Sequence, residues 1–265
     1  MYKLSLKLIK LKLLFLVMII LGNFFCFCTY GLDIPDNERG KKVKIAIITA
    51  MQSEFDAVNS LYQFSGSATE KTAEVYGKEI LLIKSGMGKV NAAIATEKAY
   101  QAGADLVINT GLAGGIDAAL EQGDIVVAEK VCYHDVWCGE PNAKGQVQDL
   151  PLYYPAPEKI VKEIIRLNPS FKLGLTVTGD QFVTDGKILN EIKQNFPEAY
   201  AVDMESAAVA QTCYLHQLPY ISVRIISDVV GKEGQMDQYN NFWKNMPTQA
   251  ADMLDKILKA IPAEK

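Results

Sequence analysis

The chain has 265 residues, 49% of them hydrophobic and 22% charged, an ordinary globular composition with length for one large α/β domain or two small ones. Its formal net charge of −4 supplies no basic field for nucleic acid or for an anionic membrane surface. There is no tandem repeat or long low-complexity tract, only two histidines, and no Cys/His spacing of the metal-binding kind, so neither a metal nor any other cofactor is expected.

Residues 1–12, "MYKLSLKLIKLK", hold four Lys and no acid, and an apolar run follows from Leu13 to Tyr30. A basic stretch before an apolar one reads as a secretory signal, and roughly 18 apolar residues also reach the length of an uncleaved anchor. Residues 1–31 are therefore assigned as signal peptide or signal anchor. Cys28, Thr29 and Gly31 offer the small residues for cleavage, whereas Asn23-Phe24-Phe25 before Cys26 fits a lipidation site badly. The expected location is secreted or periplasmic, with membrane attachment only if the segment is retained. Residues 32–42 form a polar, Pro-containing linker, and 43–265 the globular domain.

Beyond residue 31 three cysteines remain, Cys132, Cys138 and Cys213, an odd number that argues against a disulfide-built fold. Cys132 and Cys138, six apart in an expected loop, either pair in an oxidising compartment or stay free.

"VKIAIITA" is a continuous β-branched run, as expected of a strand buried on both faces. "MQSEFDAVNSLY" reads as a helix, "AEVYGKEILLIKSG" as two strands around Tyr76-Gly77, and "GKVNAAIATEKAYQAG" as a helix closed by its final Gly. "ADLVINTGLAGG" is a buried strand running into a Gly-rich loop, and "GDIVVAEKVCYH" another strand. "PEKIVKEIIRL" is helical, "KLGLTVTGDQFV" a strand ending in a polar loop, and "DGKILNEIKQNF" and "ESAAVAQTCYLHQ" helices. "PYISVRIISDVV" is a strand running into charge. One closing helix spans "NNFWKNMPTQAADMLDKILKAI", with Pro247 near its start or at a kink. Strands alternating with helices predict a largely parallel sheet covered on both faces, an α/β fold. Ligands of such folds lie beyond the carboxyl ends of the strands. "ITAMQSE", "INTGLAGG", "VTGDQF" and "RIISD" are four strand ends that converge there with Gly or polar groups.

"AYAVDMESAAVAQ" (199–211) places Asp203 and Glu205 in an otherwise apolar run, where unpaired charges would be costly. Read alone, Asp203 is a helix N-cap and Glu205 a first-turn acid favoured by the helix dipole.

"AIITAMQSEF", "SGMGKVNAA", "VINTGLAGG", "GDIVV…YHD", "TGDQFV", "VDMESAAVA" and "VRIISD", in this order, resemble the 5'-methylthioadenosine/S-adenosylhomocysteine nucleosidases of the nucleoside phosphorylase superfamily, over Val43 to Leu258. The resemblance implies a three-layer α/β/α domain with a central mixed sheet, assembled as a homodimer. It implies hydrolysis of the N-glycosidic bond of a small-molecule nucleoside to adenine and a 5-thioribose.

On the same basis Asp228 is the acid that protonates adenine N7, as a strand-end carboxyl with a raised pKa could, and Ser227 orients it. Glu54 binds and deprotonates the attacking water, with Arg224 beside the water and ribose. Glu205 bonds the ribose hydroxyls and stabilises developing positive charge on the sugar, and Met204 packs on the sugar. Asp203 matches a position without direct chemistry and keeps its N-cap reading. Phe182 stacks on the adenine and Val183 reads it through its backbone. Met51 and Met87 line the ribose and the 5'-substituent, soft thioethers for a thioether tail, and Tyr239 covers that tail.

The bacterial hexameric phosphorylases of the superfamily use a Gly-Asp-Pro-x-Arg loop after the first strand and an Arg before the central Gly. Here Ala50-Met51-Gln52-Ser53-Glu54 and Asn109 stand in those places, and an acid in place of cations repels phosphate and suits water. Two departures remain. Leu112 stands where the nucleosidases usually carry a Ser near the nucleophile. The segment after His134-Asp135, which in the family reaches the partner's 5'-pocket, differs throughout, and Trp137 is the candidate to close that pocket here. The alternatives are a related nucleosidase or phosphorylase with another 5'-group, such as adenosine or futalosine, and a non-catalytic nucleoside-binding relative.

Overall fold

The computed structural model describes residues 41–242 and 246–264. The signal-like segment 1–31 and most of the expected linker lie outside them. No helix among the described residues is long and apolar enough to cross a membrane.

The first strand, β1 (Lys44–Thr49), is the β-branched run, buried at every position after Lys44. It is followed by α1 (Gln52–Asn59), β2 (Ser65–Gly66), β3 (Glu70–Val75), β4 (Lys78–Lys84) and α2 (Lys89–Gln101). Then come β5 (Leu106–Gly115), β6 (Ile125–Tyr133), β7 (Tyr154–Pro155), α3 (Glu158–Leu167), β8 (Lys172–Thr178) and α4 (Gly186–Asn195). The chain continues through β9 (Ala199–Asp203), α5 (Ser206–Leu215), β10 (Tyr220–Val229), α6 (Gln235–Phe242) and α7 (Met246–Ala260).

The strands form one mixed sheet. Its main path runs β10-β6-β8-β9-β5-β1-β4-β3-β2, and β10 also pairs with β5, so β5, β10, β6, β8 and β9 close on themselves. Neighbours β4, β1, β5 and β10 run parallel, while β10–β6 and β5–β9 are antiparallel. α1 and α3 pack with α7, and α2 packs with α5, giving the helical layers of the expected three-layer fold. Ile45, Ile47, Ile48, Ile80, Leu82 and Ile108 are fully buried at the centre of the main core. Each such side chain contributes about 1.5–3 kcal/mol by leaving water.

Three expectations need correction. The Gly-rich "GLAGG" is not a loop but the second half of β5, because it pairs with β10 on one side and with Val202 and Ala201 on the other. Its glycines suit it to that crowded place. A Cβ at Gly111 would stand 2.7 Å from both Arg224 Nη1 and Glu54 Oε1. The expected closing helix overlaps α6 and α7, which are described on either side of residues 243–245. Cys132 sits in strand β6, not a loop, and it and Cys138 are free. Finally, Ala199–Asp203 is a strand, and α5 begins only at Ser206 with Glu205 as its N-cap. Asp203 is therefore not the N-cap.

One irregularity bears on the site. In β10 the register against β5 slips between Ile226 and Asp228, so Ser227 is an extra residue opposite no partner. Such a bulge re-aims side chains at a strand end, and here it leaves Ser227 and Asp228 adjacent at the carboxyl edge of the sheet.

Candidate active site

The ends of β1, β5, β8, β9 and β10 meet at a cleft. Met51, Glu54, Met87, Phe182, Val183, Met204, Glu205, Ser227, Asp228 and Tyr239 all line it. Arg224 alone of the nominated residues does not. It lies beneath the cleft floor, fully buried.

Arg224 organises that floor. Its Nε donates to Asp203 Oδ2 at 2.6 Å, and its Nη2 donates to Ser206 Oγ at 3.0 Å and to Asn109 Oδ1. Nη2 also stands 3.8 Å from Glu205 Oε2. Burial alone would push the guanidinium toward losing its proton, but Asp203, Glu205 and Glu54 together outweigh it and raise its pKa. Asp203 is satisfied on every side, by Thr178 Oγ1 at 2.5 Å, by the Ser206 hydroxyl, and by Ser206 N–H at 3.3 Å. It is the buried counter-ion of Arg224, and the Ser206 contact is all that survives of a capping role.

Glu54 enters from the first turn of α1. Its Oε2 accepts from Ala50 N and Met51 N, both at 2.9 Å, and its Oε1 accepts from Leu112 N at 3.1 Å. Leu112 thus serves Glu54 through its backbone, while its half-buried side chain lines the cleft. Burial raises the Glu54 pKa, and the Met51, Leu112 and Ala50 amides and the Arg224 charge hold it back. Glu205 accepts from Gly88 N at 2.8 Å. Burial pushes its pKa up to about 7, against the pull of Arg224 and with the push of Asp203 and Glu54.

At the other end, Asp228 is fully buried and its pKa is raised by that burial. Ser227 Oγ lies 2.6 Å from Asp228 Oδ1 and 3.3 Å from Ala113 O. A hydroxyl with two such neighbours can donate to the carboxylate, or turn to Ala113 and accept from the carboxylic acid. Gln235 Nε2 donates to Asp228 Oδ2 at 2.8 Å. Phe182 and Tyr239 face each other over the cleft, ring centroids 5.0 Å apart. The cleft is lined by thioethers and carboxylates, with no Lys or Arg among the described lining residues.

Residues 44–261 match the phosphorylase superfamily model. A 5'-methylthioadenosine/S-adenosylhomocysteine nucleosidase of Bacillus pumilus is 39% identical over 233 residues, covering 82% of this chain and 99% of the relative. The chain belongs to the 5'-methylthioadenosine/S-adenosylhomocysteine nucleosidase family. The nucleosidase of Lysinibacillus sphaericus is 36% identical, covering 83% of this chain and 99% of its own length. Among solved structures, the Neisseria meningitidis nucleosidase in complex with methylthio-immucillin-A superposes with a TM-score of 0.76 at 33% identity, covering 82% of this chain and 99% of its own. The Streptococcus pneumoniae nucleosidase with a transition-state inhibitor gives 0.77 at 32% identity, covering 83% and 100%.

Sequence reasoning missed several residues of this site. Asp203 was masked by its place before a helix, and Gly88 acts through an amide that no side-chain pattern reveals. Asn109, which in sequence marks only the absence of a cation, is the hydrogen-bond acceptor that takes Arg224 Nη2. Gln235 lay in a segment without a recognisable pattern. Trp137 does not line this chain's cleft. It is exposed, with its indole N–H 3.3 Å from Asn142 O and Lys144 Nζ over its ring.

Glu205 links the site to stability. An unfolded Glu titrates near about 4.3, whereas the folded one titrates at about 7. The fold therefore holds this proton more tightly, and ionising Glu205 subtracts stability as pH rises through that window. Relative to wild type, the urea midpoint of Glu205→Gln should improve between about pH 5 and about pH 8. Midpoints that shift in parallel would contradict the assignment.

Proposed function

We propose that the chain hydrolyses the N-glycosidic bond of 5'-methylthioadenosine, and of S-adenosylhomocysteine, to adenine and the corresponding 5-thioribose. The supporting observation is the arrangement of carboxyls across one cleft: Asp228, buried and held by Ser227 and Gln235, at one end, and Glu54, hydrogen-bonded by three backbone amides near a buried arginine, at the other.

Adenine leaves poorly as an anion. Asp228 delivers its proton to N7 as the C1'–N9 bond breaks, with Ser227 turning to follow the charge. Positive charge grows on the sugar, and Glu205 sits where it opposes that charge. A water held by Glu54 attacks C1' and gives its proton to Glu54. One proton leaves Asp228 and one arrives at Glu54, so solvent exchange restores both. Phe182 covers the base and Val183 meets it through its backbone. Met204 lies against the sugar, and Met51, Met87 and Tyr239 enclose the thioether tail. Water rather than phosphate is the nucleophile, because the lining carries carboxylates and the nearby cation is already engaged by Asp203 and Asn109.

Adenine release from 5'-methylthioadenosine should proceed without phosphate and should not be stimulated by it. Asp228→Asn should lower the rate by about 10^2–10^4, the usual share of a general acid. Release that requires phosphate, or an undiminished variant, would contradict the mechanism.

We further propose a homodimer and export. Val90 and Ile94 are exposed apolar residues on one face at the start of α2, Met87 is exposed just before it, and Trp137 is exposed close in sequence to His134-Asp135. Covering such a face by a second copy fits the expectation that the Trp137 segment serves the partner's cleft. The basic-then-apolar residues 1–31 support export. Sedimentation should give a dimer, and cell fractionation should place the protein outside the cytosol. A monomer, or full-length chain in the cytosol alone, would contradict these two readings respectively.

A further inference from the structure

The acid end of the cleft holds a side chain that the reaction above does not use. Gln235 is buried at the first position of α6. Its Nε2 donates to Asp228 Oδ2 at 2.8 Å and to Val183 O at 3.0 Å, and its Oε1 accepts from Gly231 N at 3.1 Å. Both acceptors of Nε2 belong to residues that line the cleft. One NH2 group thus spends its two hydrogens on the acid and on the carbonyl of the base-facing loop.

That pattern is also what an exocyclic amino group on a planar heteroaromatic offers: two hydrogens, in one plane, on one nitrogen. Asp228 has no exposed surface with Gln235 in place. A base that is to take its proton must reach a carboxyl group that the amide already holds.

We propose that Gln235 is a displaceable plug, its amide occupying the seat of the base's exocyclic amino group between Val183 O and Asp228 Oδ2, so that plug and base exclude each other. This rests on the reading of the cleft as an adenine nucleosidase site. Two buried acceptors left bare would carry a desolvation penalty, and the plug removes it. When the base enters, its amino group takes over both acceptors. The exchange is two hydrogen bonds for two, and the net loss is the contact from Gly231 N–H. The helix need not detach. Gln238, one turn on, accepts from Val229 N at 3.0 Å and Gln122 Nε2 donates to Gln238 O at 2.8 Å, tying α6 to the end of β10. Rotation of the Gln235 side chain about its own torsions is sufficient.

A plug that competes with the base lowers apparent affinity by the fraction of time it is seated. Adenine binding by calorimetry on the full chain tests this, with Gln235→Ala and with Gln235→Met, which keeps the length but not the two hydrogens. Both variants should bind adenine more tightly than wild type, by about tenfold, with melting temperatures that show an intact fold. Unchanged or weaker binding by a stably folded Gln235→Met would overturn the plug and make Gln235 a fixed support of Asp228. If neither wild type nor either variant binds adenine, the nucleosidase reading itself fails and the plug falls with it.

Discussion

The site depends on one buried ion pair, Arg224 on Asp203, with Nε and Oδ2 2.6 Å apart and both side chains out of solvent. Burying an arginine is costly unless its charge and its donors are met. Here Asp203, Asn109 and Ser206 meet them, and Thr178 and Ser206 complete Asp203 in turn. Those partners come from β5, β8, β9 and α5, so the ion pair ties four elements to β10, which carries Arg224, at the edge where the strands end. The absence of a side chain at Gly111 belongs to the same construction, since a Cβ there would meet both Arg224 and Glu54.

This floor sets the chemistry above it. Glu205 and Glu54 share the field of Arg224, which partly offsets their burial and favours their ionised forms. Asp228, at the other end of the cleft, has no cation among the causes of its shift, and burial alone raises its pKa. In the mechanism proposed above, the carboxyl far from the cation gives its proton to the base and the one near it takes a proton from water. The β10 bulge at Ser227 places its hydroxyl 2.6 Å from Asp228 Oδ1.

Much of the fold could be read from the residues because burial leaves a strong mark. The unbroken apolar run of β1 and the alternation of strands with helices determine the layered α/β plan. The convergence of four strand ends points to the cleft, and the ordered motifs name most of the residues that line it. What failed to show was local structure dictated by distant partners. Ala199–Asp203 is short and abuts a helix, so its strand character comes from pairing with β8 and with β5. "GLAGG" has loop composition and becomes strand because β10 and β9 pair with it on its two sides. Asp203 reads as a cap in one dimension, and only the fold shows the arginine beside it. Gly88 contributes an amide, and Gln235 reaches residues 7 and 52 positions away, so neither leaves a periodic signal.

The central claim is that Arg224 and Asp203 act as one unit, and a double-mutant cycle of unfolding free energy measures that directly. Arg224→Met and Asp203→Leu should each destabilise by about 3–5 kcal/mol, because each strands a buried charge. Combined, they should cost well below the sum, with a coupling of a few kcal/mol. Additive losses would contradict the account, and the floor of the site would then have to be explained by its separate hydrogen bonds.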